Sequence, residues 1–187
     1  MELEILKNEE KRMNMIMFLF LDVIPVVAVT YVLLFNGGSG RDAIALVMVA
    51  ASLLIKVFEK KLGTYAKYLY ISVLPLFGAV TLVVGTPGVF GAMVEAYFLV
   101  LFLAVPYYDL SVIKVCAVVT VVVNAVALII FRQAYLCMYT LSIWVFIVMV
   151  YVLAIAAAVF IVFRARSLFA AVEQKEGEVE ELLNNVR

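Results

Sequence analysis

The chain has no histidine among its 187 residues. That absence removes His-ligated metal sites, Ser-His-Asp and Cys-His nucleophile systems and HExxH-type chemistry. Charge is scarce as well: Asp, Glu, Lys and Arg make up 15% of the residues, against about 25% in a soluble domain. The 14 basic and 14 acidic side chains cancel, so no global field recruits polyanions, and nucleic acid is not expected as a partner. Cysteine occurs twice, at Cys116 and Cys137. The two fall near opposite faces of the expected membrane arrangement, which excludes a disulfide between them and leaves two small apolar residues. The acidic and basic side chains show no catalytic spacing. No enzyme activity, cofactor or metal is therefore expected.

What is present is apolar. Hydrophobic residues make up 67% of the chain, and the mean hydropathy is +1.17. A helix crosses a ~30 Å hydrocarbon core in about 20 apolar residues. Six stretches reach or approach that length, at about 14–36, 43–58, 65–85, 89–107, 110–131 and 139–163. Turn chemistry separates them in "NGGSGRD", "EKKLGT", "GTPG", "PYYD" and "FRQAY". The runs are too long for strands, and a barrel would show weak alternation over ~10 residues instead. The expected fold is all-α, a polytopic membrane protein with six transmembrane helices, the last continuing into a cytoplasmic coiled-coil helix. The first run exceeds a 7–15-residue signal-peptide core and lacks a small-x-small cleavage site, so it reads as a signal anchor.

Basic residues set the expected topology. Lys7, Lys11, Arg12, Lys56, Lys60, Lys61, Lys67, Lys114, Arg164 and Arg166 flank one side, and only Arg41 and Arg132 the other. The bias places both termini in the cytoplasm of a multi-pass protein of the inner (plasma) membrane, with the lipid bilayer as surroundings. The external loops are too short for a folded ligand-binding domain, so a stimulus must be read within the bundle, at its outer rim or from the bilayer. Tyr107, Tyr108, Tyr135, Tyr139 and Trp144 lie near the expected interfaces and read as aromatic anchors. Ala154 and Ala158 stand in small-xxx-small register, suited to close helix packing. Pro25 and Pro75 are expected to kink the first and third spans.

Composition changes after Phe163. The segment "RARSLFAAVEQKEGEVEELLNNVR" is charged and free of proline. Its a and d positions are Ala165, Leu168, Val172, Lys175, Val179, Leu182 and Val186, a small or apolar seam apart from Lys175. This suits a parallel partner helix, hence a homodimer, or else a tail folded on the membrane or on its own loops. The expected organisation is a cytoplasmic segment over 1–13, a membrane sensor over 14–163 and a signalling helix over 164–187. The seam stops in mid-heptad at Arg187 with no stop signal, which suggests continuation into a cytoplasmic output module and its signalling partners.

Ionisable groups at membrane depth are costly and mark candidate functional positions. At ~1.5 Å per residue, Asp22 lies about 12 Å and Lys56 about 10 Å from the cytoplasmic edge, on consecutive antiparallel helices. Either the two pair, or Lys56 reaches the interface while Asp22 bonds a neighbouring hydroxyl or a water. Glu95 falls about 10 Å below the outer edge, with Asn124 level with it and Thr30 and Thr81 nearer the outside. Together with Asp22 they are the candidate ligand- or proton-sensing residues. The alternative is hydrogen bonding between helices with no ligand.

The sixth span, "YTLSIWVFIVMVYVLAIAAAVFIVFRAR", and the following "AVEQKEGEVEELLNNVR" resemble the six-span type of bacterial methyl-accepting chemotaxis protein, truncated before its cytoplasmic signalling domain. The "EELLNNV" helix also resembles linkers that precede adenylyl cyclase, diguanylate cyclase and histidine kinase modules. The resemblance implies a transmembrane sensory input domain that passes a helix movement through Leu168, Val172, Val179, Leu182 and Val186. It fixes no binding residues. A small transporter using Asp22 and Glu95 is the other reading of the same spans.

Overall fold

The computed structural model describes the backbone of residues 2–35, 46–84, 87–136 and 139–186. Side chains are described over the same residues apart from 2–7, 28, 32, 81, 82, 84, 87–93, 173, 176 and 180–186. The described residues are helical, with no strand among them. Six long helices form the bundle: α1 (Glu2–Phe35), α2 (Leu46–Leu62), α3 (Ala66–Val84), α4 (Pro87–Ala104), α5 (Leu110–Ile130) and α7 (Leu141–Val186), with the short α6 (Arg132–Leu136) before the last.

The connections follow from local chemistry. Gly63, at φ +54°, enters the 3₁₀ turn Gly63–Tyr65 between α2 and α3, a left-handed conformation glycine adopts without steric cost. A second 3₁₀ turn, Val105–Tyr107, ends α4. Tyr108 follows at φ 50°. Asp109 then caps α5, accepting a 2.9 Å bond from the Ser111 amide, one of the donors a helix start leaves unsatisfied.

α3 is the central helix, packed against α1, α2, α4 and α5, while α7 lies against α4 and α5. The core accordingly runs through Tyr70, Ile71 and Leu74 of α3, Met17 and Leu21 of α1, and Ile113 of α5, all buried. Ala158 of α7 is fully buried, as its small-residue register anticipated. The outer surface is equally apolar: Ile129, Leu153, Phe160 and Phe163 are all exposed. Soluble monomers rarely expose so much apolar surface, and the exposure is compatible with a membrane protein.

Among the described residues, three helices rather than six are long and apolar enough to cross a membrane, over Asn8–Phe35, Leu110–Ile130 and Leu141–Val179. Val94–Tyr107 is a shorter apolar helix. α2 falls short for a physical reason: its 17 residues end in Lys56, Glu59, Lys60 and Lys61.

Two further expectations are revised. "FRQAY" is no open turn but carries α6, which buries Tyr135. Tyr107, Tyr135 and Trp144 are buried inside the bundle rather than displayed around it. The helix α7 continues without a break for 46 residues, and Leu168, Val172 and Val179 are exposed along it. These exposed positions establish a helix but not a coiled coil; the side chains of Leu182 and Val186 lie outside the described residues.

Candidate functional site: a polar end and an apolar cavity

The segments that the basic residues group on one side meet at one end of the bundle. Lys67, only 8% exposed, lies in the first turn of α3. Its Nζ pairs at 2.9 Å with both Glu10 of α1 and Asp109 at the start of α5. Partial burial acts to raise the Asp109 carboxyl, but the bonds from Lys67 and the Ser111 amide outweigh it and hold the group below the usual carboxylate range. Beside this triad, buried Asn14 donates to Glu59 of α2 at 3.2 Å and accepts from the Tyr107 hydroxyl at 2.9 Å. The tail is tied to the same end. Arg166 Nε donates to the Tyr108 carbonyl at 2.6 Å, and the Tyr108 and Phe169 rings meet edge to face at 5.1 Å.

Of the two arrangements expected for Asp22 and Lys56, the ion pair does not form and Asp22 bonds a neighbouring hydroxyl instead. Asp22 accepts from Ser52 of α2, a hydroxyl also bonded to the Val49 carbonyl, while Lys56 pairs with Glu59 at 2.8 Å. Helix register explains the exchange. α1 and α2 run antiparallel with Asp22 against Ser52, Phe18 under the Lys56 ammonium at 5.5 Å, and Asn14 against Glu59. Lys56 is therefore level with Phe18, about one helical turn from Asp22.

The candidate sensing residues separate. Among those of them whose side chains are described, only Asn124 lines a cavity, of about 280 Å3, whose walls come from α4, α5, α6 and α7. Glu95 and Thr30 are exposed on their helices, and Asp22 belongs to the α1–α2 contact. The Thr81 side chain lies outside the described residues, as does Cys137; Cys116 is buried with a free thiol.

Within the cavity Asn124 is held by two bonds. Its Nδ2 donates to the Thr120 carbonyl at 2.8 Å, and its Oδ1 accepts from the Tyr135 hydroxyl at 3.0 Å. Trp144 Nε1 donates to the Tyr135 carbonyl at 3.0 Å, so α6 is fastened to both α5 and α7. Three further hydroxyls on the wall, from Tyr97, Thr120 and Tyr151, are buried and complete no well-formed hydrogen bond among the described residues, with Asn124 beside Tyr97 and Thr120 and Cys116 beside Tyr151. Gly78 of α3 supports Tyr97 from behind: a Cβ there would stand 3.0 Å from the ring and its hydroxyl.

Sequence reasoning missed Tyr97, Thr120, Tyr135 and Tyr151 as pocket residues, and Glu10, Asn14, Glu59 and Asp109 as a network. A usable signal existed for part of the pocket, because Thr120 and Asn124 stand four residues apart and share a helix face. No protein-family model, curated protein or solved structure matches the chain, so its resemblance to chemotaxis receptors rests on the sequence pattern alone.

Proposed function

We propose that the chain is the sensory input portion of a bacterial membrane receptor. In this reading all six long helices cross the bilayer, both termini are cytoplasmic, and α7 carries a movement of the bundle to a cytoplasmic output of the chemotaxis type, or of the cyclase and kinase types. One observation carries the reading: a single unbroken helix lines the cavity with Trp144, Ile147, Val148 and Tyr151 and then extends beyond the polar end with Leu168, Val172 and Val179 exposed. Such a helix couples the two ends mechanically, provided the bundle has two packing states that a stimulus distinguishes. The basic flanks favour the polar end as the cytoplasmic one. The exposed seam steps by three and four residues, which suits a second copy of the same helix.

Cysteines at Val172 and Val179, in a chain with Cys137→Ala, test this in membranes. Oxidation should yield a crosslinked dimer, and Glu at Leu168 and Leu182 should abolish it. Crosslinking that persists unchanged in the Glu variant overturns the paired-helix reading.

A further inference from the structure

We propose that the cavity between α4, α5, α6 and α7 binds an uncharged lipophilic molecule of one or two rings that carries a carbonyl group. This deepens the sensory reading by naming a class of stimulus, and rests on it only for what binding does to α7.

Size sets the first limit. An apolar cavity of about 150 Å3 takes up benzene, and this one, at about 280 Å3, is nearly twice as large. Charge sets the second. Among the described residues no Asp, Glu, Lys or Arg lines it, and an ion moved there would lose its hydration without a counter-charge. Ring faces are plentiful: Tyr97, Phe98, Tyr135, Trp144 and Tyr151 contribute to the walls, with Phe98 and Tyr151 already edge to face at 5.3 Å. A planar ring extends such a cluster.

The hydrogen-bonding deficit identifies the polar group. Among the described residues, the Tyr97, Thr120 and Tyr151 hydroxyls complete no well-formed hydrogen bond: Tyr97 has as its neighbour Asn124, whose carbonyl already accepts from Tyr135, and Tyr151 has only the Thr120 hydroxyl and the Cys116 thiol. The site thus lacks a strong, well-placed acceptor such as a free carbonyl oxygen. Leaving a buried donor unmade is costly, and one carbonyl oxygen accepts two such bonds through its two lone pairs. The way in is lateral. Val121 and Ala125 of α5 and Val148 of α7 line the cavity and are themselves exposed. The mouth thus opens through the apolar flank of the bundle, favouring a molecule dissolved in the bilayer.

Trp144 is the only tryptophan in the chain, so its emission reports occupancy directly. With the full chain in phosphatidylcholine nanodiscs, 4-bromoacetophenone, a neutral ring with a carbonyl and a heavy-atom quencher, should quench Trp144 saturably. 4-Bromo-α-methylstyrene, of closely similar shape with a methylene group in place of the carbonyl oxygen, should show only the linear quenching of membrane partition. Tyr97→Phe and Tyr151→Phe should each weaken the ketone about three- to tenfold. Ala125→Phe and Val148→Phe, at exposed positions on different helices, should remove saturation while helicity is retained. Linear quenching by the ketone, equal saturation by both probes, or unchanged saturation in both mouth variants overturns the proposal. Saturable binding that leaves the tail crosslink at Val172 unaltered instead refutes transmission through α7 and leaves the site standing.

Discussion

Lys67 illustrates how a single charge can organise the end of an otherwise apolar bundle. Its ammonium serves two carboxylates on two other helices, so removing it leaves both unpaired. Lys67→Met should cost on the order of 2–3 kcal/mol, below the range for fully buried pairs because Glu10 and Asp109 are partly exposed. Thermal unfolding in detergent checks this, and a shift no larger than that of a surface lysine variant such as Lys114→Met would refute it. The same triad sets an acid response. With its folded value lowered, Asp109 contributes stability that is complete above about pH 4, the unfolded value, and is lost as pH falls through the folded one. Asp109→Asn should therefore flatten the acid limb of the stability curve; parallel curves for variant and native chain would exclude the role. At Gly78 the constraint is space. A methyl there meets Tyr97 at 3.0 Å and should cost about 1–2 kcal/mol by overpacking. Tyr97→Phe removes one of the crowded atoms, so a double-mutant cycle should give a non-zero coupling.

At the scale of elements, the helices were largely legible and their contacts were not. Long apolar runs broken by Gly, Pro and charge fix where helices begin and end, and the expected 65–85 and 110–131 lie close to Ala66–Val84 and Leu110–Ile130. Register between helices leaves no comparable trace, because an apolar helix with apolar neighbours on every side shows little amphipathic preference. That is why depth alone leaves an Asp22–Lys56 pair and a hydroxyl partner for Asp22 both open, when an offset of one turn sets Asp22 against Ser52. Likewise, Glu95 and Asn124 share a depth but not a direction: one is exposed, the other lines the cavity. α6 escaped notice because five residues carry no readable periodicity, yet its Tyr135 supplies a cavity wall. The packing of α7 yields a contrast on adjacent alanines. Ala158 is buried and Ala157 exposed, so Ala158→Leu should lose about 1–3 kcal/mol by overpacking while Ala157→Leu stays within about 0.5 kcal/mol. Equal thermal midpoints for the two would contradict the orientation of α7.

For the molecule as a whole, an apolar interior inside a largely apolar exterior is compatible with a bilayer as its surroundings. The protein should stay with the membrane fraction through an alkaline carbonate wash and need detergent for release; recovery in the wash would exclude the bundle as an integral membrane unit. Within that unit, α7 is the longest of the described helices. At ~1.5 Å per residue its 46 residues span about 69 Å, and about 52 Å of that lies beyond Tyr151. Geometry turns this length into gain. A tilt of only about 5° pivoting at Tyr151 displaces the Val186 backbone by ~4–5 Å, several times the shift of the cavity wall that starts it. Distance measurements between spin labels therefore find their largest signal at the far end of the tail, the end most distant from the cavity where the lever is set in motion.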